Sequence, residues 1–100
     1  MAMKVTKEQD GNRLTVFIEG KLDAVSSPEL EKELMDLAGI EELVFDLKDL
    51  IYTSSAGLRV LLNAQKVMDD QGEMTVRNAN EDVMDIFKET GFDKILDIEE

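Results

Sequence analysis

Thr53-Ser54-Ser55 sets three hydroxyls side by side, immediately before a sustained apolar periodicity. Hydroxyls placed in this way can do two kinds of chemistry. One is nucleophilic attack, which needs a positioned base and an oxyanion site. The chain has no histidine and no cysteine, so Ser-His-Asp catalysis and zinc sites built on those side chains are excluded, and a Ser55 nucleophile would have to lean on Lys48 or an acid. The other is acceptance of a phosphoryl group. A phosphoserine at a helix start meets unpaired backbone N–H groups and the positive end of the helix dipole, so the helix tolerates it. The same group adds about −1.5 to −2 charge at pH 7, enough to block a closely fitting or acidic partner. The plainest use of such a hydroxyl is a helix cap worth about 0.5–2 kcal/mol. One of the three serves that purpose on either reading, and three exceed what a cap needs.

A strand-to-helix connection must carry these hydroxyls. Leu43-Val44-Phe45-Asp46-Leu47 reads as a central strand covered on both faces, and Lys48 to Ser55 as the connection. Beyond it Gly57, Val60, Leu61, Ala64, Val67 and Met68 make an apolar stripe opposite Arg59, Asn63, Lys66 and Asp70, the pattern of a helix packed on a sheet. Upstream, Val5–Gln9 and Leu14–Glu19 flank Asp10-Gly11, which predicts an opening hairpin. Gly20-Lys21-Leu22-Asp23 breaks the alternation, and Ser26-Ser27-Pro28-Glu29 supplies cap hydroxyls, a first-position proline and an early acid. The helix so begun carries Leu30, Leu34 and Leu37 and meets a stop at Gly39. Downstream, Gln71-Gly72 ends the second helix and Met74–Arg77 reads as a strand. Asn80-Glu81-Asp82 caps a third helix bearing Val83, Ile86 and Phe87, Gly91 closes it, and Ile95-Leu96 reads as a last short strand.

This order predicts an α/β fold: a single domain over residues 1–100 with a mixed sheet of about four to five strands and helices mainly on one face. In such sheets ligands and partners meet the loops beyond the carboxyl ends of the parallel strands, which draws attention to Leu50–Leu58. There Gly57 permits close approach, either of the helix to the sheet or of a partner. Leu58 and Leu62, one turn apart on the flank of the stripe, either pack inward or anchor a partner.

Composition narrows the partners. With 43% apolar and 34% charged residues the chain is ordinary for a globular protein, so its acidity does not imply disorder. A formal charge of −12 repels nucleic acid and anionic membranes at long range and favours a basic patch on a protein partner. No apolar run reaches membrane-spanning length, and Met1-Ala2-Met3-Lys4 lacks the apolar stretch of a signal peptide, so a cytoplasmic location is expected. The acidic pairs Asp69-Asp70, Glu81-Asp82 and Glu99-Glu100 show no metal-loop spacing, and no cofactor or metal is expected. A monomer is the simplest state for one small acidic module.

The run Asp46-Leu47-Lys48-Asp49-Leu50-Ile51-Tyr52-Thr53-Ser54-Ser55-Ala56-Gly57-Leu58-Arg59-Val60-Leu61-Leu62 resembles the signature of bacterial STAS-domain anti-sigma factor antagonists, and Gly20-Lys21-Leu22-Asp23 resembles a second motif of that family. The similarity runs over essentially the whole chain. It implies a non-enzymatic STAS domain that binds an anti-sigma factor with a serine-kinase fold and so releases a sigma factor. Phosphorylation by that kinase reverses the binding, and a serine phosphatase restores it. Setting Gly57-Leu58 on the family's glycine-leucine pair puts the modified serine at Ser55, with Ser54 as the alternative. Asp23 falls on the residue associated with partner binding and phosphorylation, and Thr53, Ser54, Ser55, Ala56, Gly57, Leu58 and Leu62 form the implied contact segment. Several family members carry an acid where this chain has Ser54, whereas others carry serine. STAS-like domains also serve as non-switching scaffolds in stress-sensing and lipid-transport complexes, the alternative use of this fold.

Overall fold

The computed structural model describes residues 3–99. Strands β1 (Lys4–Asp10) and β2 (Arg13–Leu22) form the expected hairpin. Its two-residue loop is Gly11-Asn12 rather than Asp10-Gly11, because Asp10 and Arg13 still pair. Gly11 holds φ 62 at the first central position, the one that a type II′ turn reserves for glycine.

Helix α1 (Ser27–Glu33) is shorter than its leucine spacing predicts and stops well before Gly39. The reason is competition for backbone groups. The Asp36 carboxylate accepts from the Ala38 N–H at 3.2 Å, and the Gln71 side chain donates to the Leu37 and Ile40 carbonyls at 2.7 Å each. The Ala38 N–H, which a longer helix would turn to the Leu34 carbonyl, is paired with Asp36 instead, and the carbonyls of the following loop are held by Gln71. Leu37 still reaches the core from this loop.

Strand β3 (Glu42–Asp46) is central, in the order β1-β2-β3-β5-β6, where β5 is Glu73–Arg77 and β6 is Ile98–Glu99. β1 runs antiparallel to β2 and the other pairings are parallel, so the sheet is mixed. Among the described residues it has six strands, not four to five, because part of the expected 48–55 connection is itself a strand, β4 (Leu50–Thr53), paired to the end of β2. Its burial runs buried, exposed, exposed, buried, with Ile51 and Tyr52 facing solvent, so no alternation announced it. The closing strand likewise falls at Ile98–Glu99 rather than Ile95-Leu96, since a short 3₁₀ turn (Phe92–Lys94) takes up the intervening chain. Val76 accordingly pairs with Ile98.

Register places Leu14, Leu43 and Met74 in one row and Val16, Phe45 and Val76 in the next. These side chains share a core with Leu30 of α1, Leu61 and Met68 of α2 (Ser55–Asp69), and Val83 and Phe87 of α3 (Glu81–Thr90). The helices therefore cover one face of the sheet. Val44 is buried on the other face although it lies outside that core, because Thr15 and Thr75 flank it in register. A strand that reads as buried on both sides thus has helices on only one. Val67, placed in the buried stripe by its spacing, is 44% exposed at the edge of α2. No helix among the described residues is long and apolar enough to cross a membrane.

Candidate functional site

The site is built where β2 changes partner. Up to Phe17 the strand pairs with β3, and from Gly20 to Leu22 it pairs with β4, across a register shift between Gly20 and Lys21. Gly20 holds φ 90 at the bend, a conformation that a Cβ disfavours. The β2–β4 ladder then extends by one bond, the Ser54 N–H donating to the Leu22 carbonyl at 2.8 Å. This bond sets the turn that follows β2, which begins at Asp23, against the start of α2, where Ala24 and Ser27 line a common concavity with Ala56.

The three hydroxyls have three different surroundings. Thr53 is buried, with Oγ1 donating to the Ser54 carbonyl at 3.2 Å. Ser54 is the N-cap of α2: its backbone is extended and its Oγ accepts from the Gly57 N–H at 3.4 Å. Ser55 is the first helical residue and is exposed. Its hydroxyl has no hydrogen-bond partner among the described residues. The helix thus consumes one hydroxyl, the core takes another, and the third is presented to solvent at the positive end of a 15-residue helix.

Gly57 faces inward. A Cβ there would overlap Thr53 Oγ1 and lie 2.6 Å from Leu22 Cγ, so the first turn of α2 rests directly on the end of β2. Leu58 is also buried, Ala56 and Leu62 are half-buried, and Val25, 86% exposed, stands at the tip of the neighbouring turn. Of the segment singled out by sequence, Thr53, Gly57 and Leu58 are brought into the interior, while Ser54, Ser55, Ala56 and Leu62 reach the surface. Val25 and the exposed β4 pair Ile51 and Tyr52 were missed in the sequence. Their only signal is apolar type in a polar turn and at the edge of a connection.

Asp23 does more than carry a loop charge. Its Oδ1 accepts from the N–H groups of Val25 and Ser26, both at 3.0 Å, while the Ser26 hydroxyl accepts from the Asp23 N–H at 2.9 Å and donates to the Lys21 carbonyl at 2.8 Å. Ser26, expected to cap α1 through its hydroxyl, makes no such cap; the Asp23 carboxylate organises the turn in its place. The Ser26 N–H, aided by the Val25 N–H and the Ser26 hydroxyl, holds the Asp23 carboxyl below the usual carboxylate range against a smaller upward pull from burial.

A second anchored carboxylate braces the same end of the sheet. Asp46, at the end of β3, accepts from the Lys48 N–H at 3.0 Å through Oδ1, and from Arg77 Nε and Asn78 Nδ2 at 3.1 Å each through Oδ2. Burial pushes its pKa up, but the Lys48 N–H, the Arg77 guanidinium and the Asn78 amide together outweigh that and hold it low. Asn80 caps α3 by accepting from the Val83 N–H at 2.9 Å and donates to the Leu50 carbonyl of β4 at 2.9 Å.

A pH dependence follows. Both carboxyls titrate lower in the folded chain than their unfolded value of about 3.9. Their stabilisation is therefore complete above that value and is lost as pH falls through the lower folded pKa. Thermal melts between pH 7 and pH 2 should show stability falling below about pH 4, and Asp46→Asn, which cannot titrate, should fall less steeply than the parent. Parallel curves would show that Asp46 is not a source of the acid sensitivity.

No cluster of three or more acidic, histidine or cysteine side chains arranged to hold a metal occurs among the described residues. Comparison with known proteins finds relatives of the chain as a whole. The STAS domain family model matches residues 3–100. The anti-sigma-B factor antagonist of Bacillus subtilis is 34% identical over 100 residues, covering 98% of this chain and 92% of that protein. Among solved structures, an anti-sigma factor antagonist from Mycobacterium paratuberculosis superposes with a TM-score of 0.86 at 21% identity, over 97% of this chain and 85% of that one. The Bacillus cell fate determinant SpoIIAA in its phosphorylated form superposes at 0.75 with 12% identity, over 97% and 92%. At those identities the structural matches speak for the fold.

Proposed function

The chain belongs to the STAS domain family, and from that premise we propose that it is an anti-sigma factor antagonist whose binding is switched off by phosphorylation of Ser55. In the unmodified state it binds an anti-sigma factor that is also a serine kinase, and the sigma factor held by that protein is released. The module acts as a monomeric cytoplasmic domain, a substrate of the kinase with no turnover of its own. In the modifying step Ser55 Oγ attacks the γ-phosphorus of ATP bound to the kinase, ADP leaves, and the hydroxyl proton passes to a base of the kinase. A serine phosphatase returns the hydroxyl and inorganic phosphate by hydrolysis.

The observation that carries this reading is the division of labour among the hydroxyls. Ser54 is spent on the cap and Thr53 on the interior, whereas Ser55 is exposed and uncommitted. The relatives' names as anti-sigma factor antagonists and the description of SpoIIAA in a phosphorylated form support it. The contact surface on this reading is Asp23, Ser54, Ser55, Ala56 and Leu62, with Thr53, Gly57 and Leu58 setting its shape from below.

Intact-mass and site-mapping spectrometry after incubation with ATP and host lysate tests the reading. A single phosphoryl group on Ser55 is expected, absent from Ser55→Ala. Ser54→Ala should lose about 1 kcal/mol of stability through its cap and still be modified. Modification at Ser54, or none with an active lysate, would overturn the assignment, and the latter would favour a non-switching scaffold.

A further inference from the structure

Arg59 lies one helical turn beyond Ser55 on α2 and is exposed. Residues four apart on a helix are surface neighbours, with Cβ atoms about 5–6 Å apart. A helical side chain leans toward the N-terminus of its own helix, which carries Arg59 back over the turn that begins at Ser55. Its guanidinium is in no ion pair or side-chain hydrogen bond among the described residues, where the three ion pairs are Lys7–Glu33, Arg13–Glu42 and Arg77–Asp46. With Ala24, Ser27, Pro28, Glu31, Ala56 and Val60 it lines a concavity of about 160 Å³ between α1 and the first turns of α2. The other charged residue lining this concavity is Glu31 of α1. In a chain of net charge −12, an added dianion on the first turn of α2 is favoured by a neighbouring cation.

We infer that Arg59 is a phosphate clamp: once Ser55 is phosphorylated, the Arg59 guanidinium swings over the first turn of α2 and pairs with the phosphoryl oxygens. The inference rests on Ser55 being the modified residue. Its planar fork of donors suits two phosphoryl oxygens at once, which a lysine ammonium does not match. Modification would then change two features of the contact surface together, adding a dianion and withdrawing a free cation from a partner's carboxylates. Arg59 acts here as a positioning residue for the modified side chain, not as a group of the transfer chemistry.

The test uses full-length protein with phosphoserine installed genetically at position 55, so it does not depend on which serine a kinase selects. Phosphorus NMR titration between pH 4 and pH 8 reads the second ionisation of that phosphate, ordinarily near pH 6. The clamp favours the dianion. Compared with Arg59→Gln, the parent phosphate should bind its last proton about two- to fivefold more weakly, as expected of a charge-assisted pair one helical turn apart. Arg59→Lys should recover part of the difference. Superimposable titrations of parent and Arg59→Gln, with circular dichroism showing both folded, would overturn the clamp. A kinase that modifies another residue would sink the reading of Ser55 as the switch and leave this titration to stand or fall separately.

Discussion

Ser55→Asp is expected to bind the anti-sigma kinase of the proposed function about tenfold to a hundredfold more weakly than the parent, and Ser55→Ala about as tightly as the parent, by titration calorimetry. Ser55 is exposed on the first turn of α2 and its hydroxyl bonds to nothing among the described residues, so removing the hydroxyl costs the fold almost nothing. An acid at this position also suits the helix dipole, worth about 0.3–1 kcal/mol in its favour. The two variants thus differ at the partner, where a desolvated like charge costs several kcal/mol, each about 1.4 kcal/mol being tenfold in affinity. Aspartate carries one negative charge where phosphoserine carries about −1.5 to −2, which places the variant at the lower end of that cost. Equal affinities, with both variants folded by circular dichroism, would remove Ser55 from the interface.

The second large effect is on stability. Gly72→Ala should lower the thermal midpoint by roughly 10–20 °C. The glycine lies between the end of α2 and β5, its N–H donating to the Met68 carbonyl at 2.8 Å, and the next N–H, of Glu73, donates to the Glu41 carbonyl at 2.9 Å. A Cβ at Gly72 would overlap that same Glu41 carbonyl oxygen, with the carbonyl carbon at 2.6 Å. The obstacle is backbone at the entrance to the central strand, so it cannot turn aside as a side chain can. Overpacking of this kind costs about 1–3 kcal/mol and sometimes more, and in a domain of this size each kcal/mol moves the midpoint by about 4–8 °C. Gly57→Ala meets Thr53 Oγ1 and the Leu22 side chain instead. Those groups have rotamers to yield, so its loss should be the smaller of the two. A Gly72→Ala melt within 3 °C of the parent, an allowance below the shift expected for one kcal/mol, would mean that the 41–42 connection yields freely.

The sequence by itself determined the class of the fold and the place of the hydroxyl run at a helix start. Both signals are local. Alternating apolar residues at Leu14, Val16 and Ile18 make a half-buried strand wherever they occur, and Asn80 before an acidic first turn starts a helix because its amide oxygen meets a free N–H within three residues. Three hydroxyls before an apolar stripe mark a helix start for the same reason. The tertiary structure alone decided what was settled by groups distant in sequence. β4 exists because Gly20 bends β2 and releases its end to a new neighbour 30 residues on. The loop after α1 is held by Gln71, some 30 residues further on, through the Leu37 and Ile40 carbonyls. The allotment of the hydroxyls belongs to this second group. Thr53 is buried because β4 pairs with Leu22, Ser54 is held extended by its own bond to Leu22, and Ser55 is left facing solvent. Which of three like neighbours stays free depends on the direction in which each Cα–Cβ bond points once the sheet has closed, and that direction is a property of the packed chain rather than of the residue.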